Sequence, residues 1–66
     1  MIELRATKSA SQRTKNRIME NGPFFEEIDS SHSVKSLNDQ AGILVKSVSG
    51  GKDWLGWLPV MEVYEV

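Results

Sequence analysis

The sequence predicts an all-β fold, a small barrel of about five short antiparallel strands. Three observations carry this reading. In residues 42–66, two apolar, β-branched runs flank the loop Ser49-Gly50-Gly51-Lys52-Asp53, the pattern of a β-hairpin. Pro59 cannot donate to a ladder, so it ends the second run and lets Val63-Tyr64-Glu65-Val66 start in a new direction. No stretch carries a broad helical stripe, and one flat sheet of this size leaves a face wet and both edges open. A closed or nearly closed barrel is therefore expected.

The elements follow in order. Ile2, Leu4 and Ala6 alternate with Glu3 and Arg5, which makes a short half-buried strand. Residues 7–21 turn polar and basic, and two readings compete there. Ser9 or Ser11 caps a helix that ends at Asn21, with Gly22 left-handed and Pro23 as the stop. Alternatively the segment is a long hairpin loop closed by Glu20-Asn21-Gly22-Pro23. We prefer the loop, because Ala10, Thr14 and Ile18 make too narrow a stripe to dock three turns. Residues 24–28 form the next strand, and Asp29-Ser30-Ser31-His32-Ser33 is read as a polar break. A brief extended piece at residues 33–37 and a loop at residues 37–42 lead to the most apolar strand, residues 43–48.

Sixty-six residues make a single domain, 1–66, with a thin core. The absence of Cys excludes disulfides and thiolate metal sites. No apolar run reaches signal-peptide or transmembrane length, so a cytoplasmic location and no membrane partner are the default expectations. The net charge of −1 hides an asymmetry: residues 1–17 carry +4, and residues 18–66 carry −5.

The order of elements resembles the SH3-like barrel. Ile18-Met19-Glu20-Asn21-Gly22-Pro23-Phe24-Phe25-Glu26-Glu27-Ile28 looks like its diverging turn and second strand. Gly56-Trp57-Leu58-Pro59-Val60-Met61-Glu62-Val63 looks like its Gly-aromatic-aliphatic-Pro segment ending in a 3₁₀ turn. The resemblance implies five strands, a long basic RT-type loop after the first, and a 3₁₀ turn before the last. It does not imply the usual ligand. SH3 domains that bind proline-rich peptides place aromatics where this chain has the Leu4-Arg5-Ala6 run, Gly42 or Ile43, and Glu62. Their RT loop is acidic, whereas this one carries Lys8, Arg13, Lys15 and Arg17.

Strand parity puts Trp54, Gly56 and Leu58 on one face and Leu55 and Trp57 on the other. The resemblance makes the Leu58 face the core, with Gly56 giving room for the Trp54 ring. Trp57 beside Leu55 is then a candidate hot spot or a cover for the barrel's shallow end. Lys8, Arg13, Lys15 and Arg17 suit phosphates, an acidic protein surface, or simple solvation. Lone His32 lacks companions for a metal site, and Glu26 and Glu27 point to opposite faces, so no paired-carboxylate chemistry follows. No nucleophile elbow or phosphate loop occurs, and neither an enzyme nor a cofactor is expected. The expected function is a non-catalytic interaction module. It binds another protein of acidic or apolar surface through Lys8, Arg13, Lys15, Arg17, Leu55 and Trp57. The alternatives are a nucleic-acid-binding barrel using the basic loop and a structural subunit acting by self-association.

Overall fold

A computed structural model describes all 66 residues. Its strands are β1 (Ile2–Ala6), β2 (Phe24–Val34), β3 (Gln40–Ser47), β4 (Leu55–Pro59) and β5 (Val63–Glu65). One helix, α1 (Gln12–Asn21), lies between β1 and β2. Short 3₁₀ turns at Lys35–Leu37 and Val60–Glu62 precede β3 and β5. All pairings are antiparallel, and the sheet order is β4-β3-β2-β1-β5. The fold class is therefore mostly β, as expected, but the sheet has two free edges and does not close.

The core is small, as the chain length dictates: 11 of 66 residues are buried. Leu4, Phe25, Val45 and Leu58 form its centre, with Ile2, Ile18, Ile43, Trp54 and Val63 packed around them. The parity assigned to β4 holds. Leu58 faces Ile43 and Gly56 faces Val45, while Trp57 lies opposite Leu44 on the other face. A Cβ on Gly56 would overlap the six-membered ring of Trp54, so only glycine leaves room for that side chain.

Besides the open sheet, three expectations are corrected. Residues 12–21 form a helix, not a loop. The stripe Ala10-Thr14-Ile18 is the one that packs, with Ala10 and Thr14 buried and Ile18 against the core. The helix needs no wider stripe because its ends are tied down by remote residues. Ser11 is the N-cap, its Oγ accepting from the Thr14 N–H at 3.3 Å, and Glu62 reinforces it from the far end of the chain. At the other end, the buried Ser47 hydroxyl donates to the Asn21 carbonyl, and the Gly22 N–H returns to the Ile18 carbonyl at 2.8 Å. Gly22 sits at φ −108°, outside the left-handed region expected of it.

The second correction is that residues 29–33 do not break the strand. β2 runs through them, paired with β3, and absorbs the irregularity as register shifts between Glu27 and Asp29 and between Ser31 and Val34. Most of this stretch is exposed, which is why its composition is polar. Third, Lys35–Leu37 is a 3₁₀ turn, not an extended piece. Asn38 and Asp39, both left-handed at φ 57° and 61°, carry the chain from it into β3. No helix is long and apolar enough to cross a membrane.

Candidate functional site

Burying one face of β4 against the core leaves its outer face and its free edge available. α1 and the first 3₁₀ turn stand on either side of that edge, and a groove of about 540 Å³ opens between them. Arg13, Thr14 and Arg17 line it from the helix, Leu55 and Trp57 from the strand, and Leu37 from the 3₁₀ turn. Helix periodicity explains the first group, since residues 13 and 17 are one turn apart on the same face.

Four of the six residues expected to bind a partner are therefore brought together: Arg13, Arg17, Leu55 and Trp57. Lys8 and Lys15 are exposed but do not line the groove; Lys15 projects from another side of α1, and Lys8 sits in the turn before it. Leu55 is 56 % exposed. Trp57 is half-buried, because it also covers a small apolar cluster: a Cβ on Gly42 would meet Leu37, Val34 and Trp57 at 2.6–3.2 Å.

Two contacts not foreseen from sequence shape the helix-side wall. The Arg17 guanidinium lies over the Trp54 ring, 5.6 Å from its centroid, and Trp54 meets Phe25 edge-on at 6.4 Å. Arg17 is thus held in place by a ring that the core itself anchors. Neither Arg13 nor Arg17 takes part in an ion pair; the one salt bridge in the chain joins Arg5 to Glu3 at 3.2 Å. Glu62 is the one acid at the groove, and it is already engaged. Its Oε1 accepts from the Ser11 N–H and from the Ser11 hydroxyl, both at 2.8 Å. The groove therefore has net positive character.

The hydrogen bond from the Ser11 N–H, aided by the Thr14 and Ser11 hydroxyls, holds the Glu62 carboxyl below its ordinary value of 4.5. The nearby N-terminus of α1 favours the same anion. A carboxylate with a lowered folded-state pKa contributes stability above its unfolded pKa and loses it as pH falls through the folded one. Glu62→Gln should therefore be less stable than the parent at neutral pH; the difference should begin to shrink as the pH nears 4.5 and vanish only once it has fallen through the lowered folded-state value. Urea titrations of both proteins between neutral and strongly acidic pH check this. A gap that persists at the acid end would show that the charge of Glu62 is not what anchors the helix.

His32 is exposed on β2, and no three His, Cys, Asp or Glu side chains are gathered where they could hold a metal ion. No family model, no curated protein and no solved structure matches this chain.

Proposed function

We propose that this chain is a non-catalytic interaction module of SH3-like architecture that binds another protein in the groove between α1, β4 and the first 3₁₀ turn. The architecture is supported by the strand order β4-β3-β2-β1-β5 and by the 3₁₀ turn immediately before β5, with α1 standing in place of the RT-type loop. The binding reading rests on one observation above all. Residues far apart in sequence, Arg13 and Arg17 on one side and Leu55 and Trp57 on the other, converge on a single groove. A half-buried Trp next to an exposed Leu offers apolar area at low entropic cost, and two unpaired guanidinium groups select an acidic neighbour.

The test is retention of host-cell proteins on the immobilised domain, compared with Leu55→Ala and Trp57→Ala variants whose melting transitions have been checked. Proteins retained by the parent should be lost with both variants. Equal retention by folded variants would move the binding surface elsewhere. The alternative, a nucleic-acid reading, rests on the charge of Lys8, Arg13, Lys15 and Arg17, none of which is neutralised within the chain, and not on their arrangement.

Proline-rich ligands are expected to fail. A polyproline helix needs a row of aromatic ridges, and the corresponding positions here hold Gly42 or Ile43 and the engaged carboxylate of Glu62. PxxP peptides should bind no tighter than about 1 mM. A fluorescence titration on Trp57 and Trp54 giving micromolar affinity would reinstate that ligand class.

A further inference from the structure

The floor of the groove is the free edge of a strand. β4 is the last strand of the sheet and pairs with β3 alone. The Ser47 N–H donates to the Trp54 carbonyl at 2.8 Å, which fixes the phase of the ladder. In an antiparallel pair the bonded positions alternate, so Gly56 and Leu58 turn their polar groups toward β3. Leu55 and Trp57 then turn theirs outward. Pro59, which has no N–H, falls on the outward phase as well, consistent with this assignment. No turn, loop or cap hydrogen bond engages the Leu55 or Trp57 backbone. Edge strands are ordinarily blunted by charge, proline, bulge or cover; Pro59 blunts the end of β4, but Leu55-Gly56-Trp57-Leu58 before it carries neither charge nor proline. β5, the other edge, is only three residues long and contains Glu65.

We propose that an extended, acidic segment of a partner protein adds to this edge as a sixth strand, a mode that rests on the groove reading above. Its backbone pairs with the outward N–H and C=O groups of Leu55 and Trp57. Side chains of an added strand alternate between faces, and the two walls here differ in chemistry. One set of residues meets Arg13 and Arg17, the latter stacked on Trp54; the other meets Trp57 and Leu37. The segment therefore alternates Asp or Glu with apolar residues. A second copy of β4 is a poor occupant, because it supplies no acid and brings its own Arg13 and Arg17 to face this pair.

The experiment selects 12-residue peptides from a random displayed library on the immobilised full chain, then titrates the enriched peptide, made synthetically, into labelled protein. Enriched sequences should alternate acidic and apolar residues. At saturation, exchange of the Leu55 and Trp57 amides should slow about tenfold or more, while Gly56 and Leu58, already bonded to β3, change little. N-methylation of the peptide at the positions facing Leu55 and Trp57 should weaken binding about tenfold or more. Lack of enrichment overturns strand addition, as does an enriched peptide that leaves the Leu55 and Trp57 amides unprotected or tolerates N-methylation. The last two outcomes leave the groove reading standing, since a ligand held by side chains alone still depends on Leu55 and Trp57. That reading falls only in the retention comparison of those two variants.

Discussion

Leu58→Ala should unfold a large fraction of the protein at room temperature. Leu58 is 1 % exposed and sits in the four-residue centre with Leu4, Phe25 and Val45. Truncating a fully buried leucine costs about 2–5 kcal/mol, the spread reflecting how far neighbours collapse into the cavity. At about 0.05–0.15 kcal/mol per residue, a chain of this size has only about 3–10 kcal/mol to lose. With so few buried side chains, little second-layer packing is available to fill the space. Leu55→Ala, one position out of phase, is the control: its side chain faces solvent, and its cost should stay within about 0.5 kcal/mol. Denaturant melts of the two variants side by side read out strand parity directly. A Leu58→Ala midpoint equal to the parent's, or a large loss in Leu55→Ala, would mean that β4 faces the other way.

Which parts of the fold were legible follows from the range of the interactions involved. β3, β4 and the turn after Pro59 were readable because their signals are local: two-residue alternation, a glycine-rich loop, a residue that cannot donate. Parity placed Trp54 and Gly56 on one face of the strand, and the resemblance supplied the rest, that this face is the core and that Gly56 makes room for the Trp54 ring. α1 was misread although its packing stripe was identified correctly. What stabilises it is the Glu62 carboxylate 51 residues away and the Ser47 hydroxyl 26 residues away, and no window centred on residues 12–21 contains either. Residues 29–33 were misread for a different reason. Polar composition marks exposure, and an exposed strand with two register shifts shares that mark with a loop. At the site, parity grouped Leu55 with Trp57, the resemblance turned that face outward, and composition found Arg13 and Arg17. Trp54 as the platform under Arg17 was missed, because that contact depends on the helix. Leu37 was missed because a polar 3₁₀ turn carries no pattern. The four-residue spacing of Arg13 and Arg17 was the one available signal that both would share a helix face.

The partner's chemical class should be decided by which half of the groove matters. Under the protein reading, Trp57→Ala should weaken binding by about 2 kcal/mol or more, roughly thirtyfold, because it removes the largest apolar contact at the centre of the interface. Reversing Arg13, Lys15 and Arg17 together should then act mainly on the association rate and its salt dependence. Trp57 also covers Leu37 and Val34, so its truncation carries some cost in stability, and Leu55→Ala supplies the variant free of that complication. Under the nucleic-acid reading the pattern inverts. Lys8, Arg13, Lys15 and Arg17 would each neutralise a phosphate, and the logarithm of the binding constant should fall against log salt with a slope of about −3 to −4. The triple reversal would then abolish binding, and Trp57→Ala would leave it nearly unchanged. The geometry favours the first pattern: only Arg13 and Arg17 face the groove, Lys15 points elsewhere on α1, and Arg17 is stacked on Trp54. Four cations spread over different sides of a helix and its preceding turn do not track a phosphate backbone, whereas two beside an apolar strand match an acidic peptide. A mobility shift with duplex DNA or single-stranded RNA at physiological salt, lost on the triple reversal and untouched by Trp57→Ala, would reverse this assignment.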